Sequence, residues 1–200
     1  HGAVFDDHEA TNAAPRRTLN ITAHAAHDSA QHYIAEGIVM TAQTTQPASL
    51  PWLEKLIAIP TVSGTSNLEL IELIEAEFAR YGYSGVRTYN DDGTRANLLV
   101  TIPATDGTTR GGVILSGHTD VVPVAGQAWD ADPFTLRVEG TRAYGRGVCD
   151  MKGFLAVALW LLPRVAEAKL RTPLHFAFSY DEEIGCVGAP SLIEEFVARD

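Results

Sequence analysis

From Leu50 onward, stretches with the character of β-strands alternate with stretches whose apolar residues recur at helical spacing. This alternation limits the fold more than any other feature of the chain. Residues 51–58 read as a short helix with Pro51 in its first turn. Ser66-Asn67-Leu68-Glu69 has the Ser-x-x-Glu spacing of a capping box, Leu70, Ile71, Ile74 and Phe78 follow on one helical face, and Gly82 is a natural stop. Residues 86–90 and 97–102 predict two strands joined by a turn around Asp92-Gly93. Val113-Ile114-Leu115, directly after Gly111-Gly112, is wholly apolar and predicts a buried strand. Residues 153–168 predict an apolar helix kinked by Pro163, residues 174–180 another strand, and Pro190 the opening of a last helix. The expected fold class is α/β, with a layered sheet covered by helices on both sides.

Charge narrows the partners. The 200 residues carry 15 basic and 25 acidic side chains, a net charge of −10. No nucleic acid and no membrane surface is expected as the main partner, because a phosphate backbone or anionic lipid is gripped with excess Lys and Arg. The longest apolar run, residues 154–162, stops at Pro163 and is short of the ~20 residues that span a bilayer. The start is polar and lacks the apolar segment of a secretory signal. Cys149 and Cys186 form no C-x-x-C pair, which argues against a disulfide framework or a cysteine-based zinc knuckle. A soluble, cytoplasmic protein is expected. Residues 1–39 carry five of the seven histidines (His1, His8, His24, His27 and His32) at irregular spacing, with no neighbouring acids to orient them as ligands. Residues 1–49 therefore read as a disordered or spurious leader, with Met40 as a natural start, and residues 50–200 as the organised domain.

Three clusters carry chemistry. Ser116-Gly117-His118-Thr119-Asp120 follows the predicted buried strand, and ligands of open α/β sheets collect at the carboxyl ends of strands. In an extended segment His118 and Asp120 leave the same face, so one can bind a metal while the other fixes the imidazole tautomer. A loop histidine beside a turn-capping aspartate fits this motif equally well. In the second cluster, Tyr144 to Gly153, the third glycine of a G-x-G-x-x-G dinucleotide loop is replaced by Asp150, whose charge would repel a pyrophosphate. Asp150 reads either as a helix N-cap or as a carboxylate able to bridge two cations. The third cluster, Asp181-Glu182-Glu183, is either a solvated charge run or, if the strand bends after Glu182, a metal ligand beside a substrate-facing acid. The clusters are separated by equal steps of 32 residues, each taken as one strand–helix–strand excursion returning to the same sheet edge. His, Asp and Glu together suit zinc, cobalt or manganese.

His118-Thr119-Asp120, Gly145-Arg146-Gly147 with Asp150-Met151-Lys152-Gly153, and Asp181-Glu182-Glu183 resemble, in order, the signature of the M20 co-catalytic metallopeptidases. The resemblance covers residues 50–200. Val121 to Trp129, Asp132-Pro133-Phe134 and Gly185-Cys186-Val187-Gly188 are similar to the acetylornithine deacetylase branch, whereas desuccinylase relatives carry a second proline at the position of Val124. The resemblance implies a zinc-peptidase-like catalytic domain, a mixed sheet flanked by helices, truncated before a dimerisation domain. It implies two divalent metal ions, Zn2+ or Co2+. His118 would bind one and Glu183 the other, with Asp150 bridging both; Asp120 would orient His118 and Glu182 would act as general base. The implied substrate is a small-molecule N-acyl amino acid, N2-acetyl-L-ornithine first, with succinyl-diaminopimelate or a dipeptide as the alternative. A homodimer is implied at full length. In that family one further acid and one further histidine complete the ligand set beyond Asp200, so the 200-residue piece alone is expected to be inactive and to bind metal poorly.

Smaller readings accompany these. His175 sits mid-strand and is not expected to touch metal. Trp129 and Phe134 read as core aromatics more readily than as pocket wall. Cys149 and Cys186 read as small buried hydrophobes. Lys152 balances the local acids or is a surface residue at a helix start, and Arg146 is equally ambiguous.

Overall fold

The computed structural model describes residues 32–35, 38–41 and 46–199. The chain divides into two units, residues 1–43 and 44–200. In the first, β1 (His32–Ala35) and β2 (Ile38–Thr41) pair antiparallel, His32 opposite Thr41. His1, His8, His24 and His27, and most of the stretch read as a leader, lie outside the described residues.

The second unit runs α1 (Leu50–Ile57), α2 (Leu68–Arg80), β3 (Gly85–Tyr89), β4 (Ala96–Ile102), β5 (Val113–His118), β6 (Arg137–Glu139), β7 (Arg142–Tyr144), α3 (Gly153–Glu167), β8 (Leu174–Ser179) and α4 (Ala189–Arg199). Its main sheet has the order β3-β4-β8-β5. β4 pairs antiparallel with both β3 and β8, whereas β5 runs parallel to β8, so the sheet is mixed. Side chains alternate across it as the strand period requires. Leu98, Val100, Ile102, Phe176 and Phe178 face a core closed by the apolar stripes of α1, α2 and α3. Leu99 and Ala177 face the other way, under Leu192 and Phe196 of α4. Phe78 of α2 meets Phe176 edge-on, centroids 4.9 Å apart, which couples the largest core rings of helix and sheet. The layered sheet with helices on both faces is thus present. No helix among the described residues is long and apolar enough to cross a membrane.

Several local expectations differ from what forms. The capping box at α2 is not made: Asn67 is the N-cap residue, and Ser66 Oγ accepts only from the Leu68 amide, at 3.3 Å. Asn67 is buried and works across the fold instead. Its side chain accepts from Ala96 N at 2.9 Å, donates to Ala96 O at 2.8 Å, and reaches Thr119 Oγ1 at 2.9 Å. β5 is not buried along its length, because it is the margin of the sheet, with β8 alone beside it among the described residues. Val113 and Ile114 stay 53% and 45% exposed, and only its last residues, Gly117 and His118, are buried. Those residues lie under the first turn of α3, where a Cβ on Gly117 would stand 3.0 Å from Phe154. α3, by contrast, spans Gly153–Glu167 with Pro163 inside it, close to the expected range. The two 32-residue steps are also unlike one another. The first crosses the β6–β7 ribbon with no α-helix, and only the second contains an α-helix followed by a strand. Their equal length is a coincidence of loop lengths.

Replacing Asn67 with Ala should strand the Ala96 amide and carbonyl in a buried place. We expect a loss of roughly 2–4 kcal/mol in urea unfolding, since each orphaned buried polar group costs about 1–3 kcal/mol. A loss under about 1 kcal/mol would show that the Asn67 bridge is dispensable.

Candidate metal centre

The site begins with a register. β5 and β8 are parallel neighbours with His118 opposite Ser179, so the chain leaves both strands at the same end. Thr119 N donates to Ser179 O at 2.8 Å and keeps the two exits side by side. The loop after α1 closes over them: Val121 N donates to Thr61 O at 2.9 Å and Ser63 N to Val121 O at 3.0 Å.

Asp120 is the buried hub of this junction. Its carboxylate accepts from Ser63 Oγ at 2.6 Å, from the Glu182 amide at 2.9 Å and from the Glu183 amide at 3.3 Å. The main-chain carbonyl of Asp120 lies 3.0 Å from His118 Nδ1, and its carboxylate 3.4 Å from the same atom. With Nδ1 donating to the carbonyl, Nε2 is the nitrogen that donates to a carboxylate while protonated and can ligate once that proton is lost. It points at Asp150 Oδ1, 3.0 Å away, and lies 3.7 Å from Glu182 Oε2.

Asp150 comes from the tight turn between Gly147 and Gly153, whose Asp150–Met151 peptide is cis. The glycines serve packing rather than phosphate. Gly147 has φ +81°, and a Cβ there would stand 2.5 Å from Val121; a Cβ on Gly153 would stand 2.4 Å from Val148 O. The third cluster bends at Asp181, one residue earlier than the sequence reading allowed, with φ +53°. Asp181 is itself buried. It accepts from the Gly64 amide at 2.7 Å and is ion-paired with Arg95. The run of three acids therefore splits, one side chain anchoring the bend while Glu182 and Glu183 follow it. One donor atom each from His118, Asp150 and Glu183 lies within 4.8 Å of the others.

Charge here is unbalanced. Burial opposes a charge on His118, but its hydrogen bonds to Asp120 and Asp150 outweigh that and raise the imidazole to about 9. Burial also works against the Asp120 charge, and contacts with His118, Ser63 and the two glutamate amides still hold it below the ordinary carboxylate range. Burial and the neighbouring Asp150 push Glu183 up. One imidazole nitrogen and several carboxylate oxygens, crowded and short of positive charge, fit a borderline or hard divalent cation.

A cavity of about 370 Å³ opens beside the cluster, with Trp129, Tyr144, Arg146, Asp150 and Glu183 among its walls. Trp129 is thus pocket wall rather than core, and Phe134 is not part of this wall. The Arg146 guanidinium sits 5.1 Å from the Trp129 ring and donates to the Gln127 side chain. Cys149 and Cys186 are exposed, correcting the buried reading, and Cys186 Sγ lies 3.7 Å from Glu182 Oε1. His175 is held by Thr101 and Gly111 O within the sheet. Lys152 neither balances acids nor meets solvent: it is fully buried, and burial pushes its ammonium down to about 8. Thr61, Ser63, Gly64 and Arg95, which hold the loops together, carry no short-range sequence signature.

The electrostatics set a pH dependence. A cation must displace the proton from His118 Nε2, so its affinity for the metal-free, full-length protein should rise about tenfold per pH unit from 7 to 9 and level off above. Competition titration with a chelator of known affinity would measure it. A pH-independent affinity over that window would show that His118 carries no proton to lose.

Comparison with known proteins agrees with this geometry. Residues 114–200 match the model of peptidase family M20/M25/M40. An acetylornithine deacetylase from Salmonella paratyphi B is 39% identical over 152 residues, covering 72% of this chain and 38% of the relative. The chain thus spans well under half the length of the curated relatives it matches. Human carnosine dipeptidase 1 shares the fold with a TM-score of 0.60 at 24% identity, covering 74% of this chain and 34% of that one. Aminoacylhistidine dipeptidase from Vibrio alginolyticus aligns with a TM-score of 0.54 at 26% identity, covering 73% of this chain and 30% of that one. The family match takes in His118, Asp150 and Glu183 together, and the chain belongs to peptidase family M20/M25/M40.

Proposed function

We propose that this chain carries the first part of the catalytic domain of a metal-dependent amidohydrolase that removes the acetyl group from N2-acetyl-L-ornithine. The observation that carries the reading is the convergence of His118, Asp150 and Glu183 with the Glu182 carboxylate beside them, 3.7 Å from His118 Nε2. The identity to acetylornithine deacetylases supports the acyl substrate. In this reading His118, Asp150 and Glu183 would be the residues that hold two divalent cations, zinc or cobalt. Such a pair, when bound, lowers the pKa of a water and polarises the amide carbonyl.

The protein's own groups then do the following. Asp120 fixes the imidazole with its carbonyl and the Glu182–Glu183 segment with its carboxylate. Glu182 accepts the proton of the attacking water and delivers it to the departing amine nitrogen, which cannot leave as an anion. Its carboxylate stands beside the ligand cluster, 3.7 Å from His118 Nε2, and is 43% exposed, so it is open to an incoming water. A second reading, hydrolysis of a dipeptide, is favoured by the dipeptidase from Vibrio alginolyticus among the structural relatives.

Glu182→Gln in the full-length protein should keep its metal content and lose about 10²–10⁴ in kcat. Turnover of N2-acetylornithine, succinyl-diaminopimelate and dipeptides by the metal-loaded parent separates the two readings. Unchanged kcat in the variant would remove Glu182 from the chemistry.

A further inference from the structure

Asp150 is placed by its backbone, not by its own packing. Its side chain is 73% exposed, and its one hydrogen-bond partner among the described residues is His118 Nε2. Something else must hold the turn that presents it. Two residues on, the Lys152 side chain is fully buried, and its Nζ donates to Leu56 O at 2.9 Å and to Ile59 O at 2.6 Å. These carbonyls belong to the C-terminal end of α1 and the residues just past it, where unpaired carbonyls and the helix dipole gather negative charge. The Lys152 amide also donates to Gly147 O at 2.8 Å, closing the turn from the inside. No carboxylate among the described residues pairs with this ammonium.

A buried cation with only neutral partners is a costly way to stabilise a fold, and an apolar side chain of similar length is often as good or better for stability alone. What the ammonium supplies and methionine does not is a directional tether between α1 and the Asp150 turn. We propose that Lys152 is a positioning residue for Asp150, fixing its carboxylate against His118 and Glu183 by clamping the Gly147–Gly153 turn onto the last carbonyls of α1. The proposal rests on the reading of Asp150 as a metal ligand and deepens it.

The test uses Lys152→Met and Lys152→Arg in the full-length protein, with cobalt(II) as the probe, and Leu159→Ala as a control that loosens the buried core away from the turn. Lys152→Met should melt at or above the temperature of the parent. Its cobalt absorption bands should nevertheless change, and its cobalt affinity should fall about 10–100-fold, the range for lost orienting partners of a ligand. Lys152→Arg should recover part of that affinity, and Leu159→Ala should lower the melting temperature while leaving the bands in place. Parent-like bands and affinity in Lys152→Met would overturn the proposal. So would failure of both Lys152 variants to fold, which would assign the ammonium to folding alone. A parent protein that binds no cobalt would overturn the metal reading itself, and this proposal with it.

Discussion

The Asp120 carboxylate ties together three pieces of chain that are remote in sequence. It receives the Ser63 hydroxyl from the loop after α1 and the Glu182 and Glu183 amides from the bend after β8, while its own backbone carbonyl faces the His118 ring. Hydrogen bonds to a charged acceptor are roughly twice as strong as neutral ones, and in a buried place each also removes a group that would otherwise be orphaned. The arrangement works only because β5 and β8 are parallel and in register at His118 and Ser179. Had β8 run the other way relative to β5, the histidine and the glutamates would have left opposite ends of the sheet.

Around that hub the structure spends buried polar groups on geometry. Asp181 sits in a left-handed conformation that a non-glycine residue adopts at some cost, and it is held there by Gly64 and Arg95. Asn67 does the same for β4, pairing both backbone groups of Ala96. The contrast with the acids of the cluster is plain: the anchors are buried, while the Asp150 and Glu182 side chains are 73% and 43% exposed. A rigid frame with exposed, mutually repelling acids at its opening is how a protein keeps a cation site ready.

The three residues that converge were legible because each sits in a short motif beside a recognisable element: His118 at a strand end, Asp150 between helix-starting glycines, Glu183 after an aromatic-rich strand. Helical spacing likewise gave α2 and its buried face. What stayed hidden were pairings between distant polar residues, such as Ser63 with Asp120, Gly64 with Asp181, or Lys152 with the end of α1, because no local periodicity encodes them. Lys152 misled for the same reason, since a lysine at a helix start is ordinarily wet. The apolar run of β5 misled differently: three aliphatic residues announce a strand, but not whether it lies inside a sheet or at its margin.

That margin has a practical consequence. With Val113 and Ile114 about half exposed and no strand beyond β5 among the described residues, the sheet ends in an apolar rim without a partner strand. Rims of this kind zip onto one another. Preparations of residues 46–199 by themselves would contend with clumping through this strand, and a lysine at position 113 would be the simplest way to keep such material dispersed.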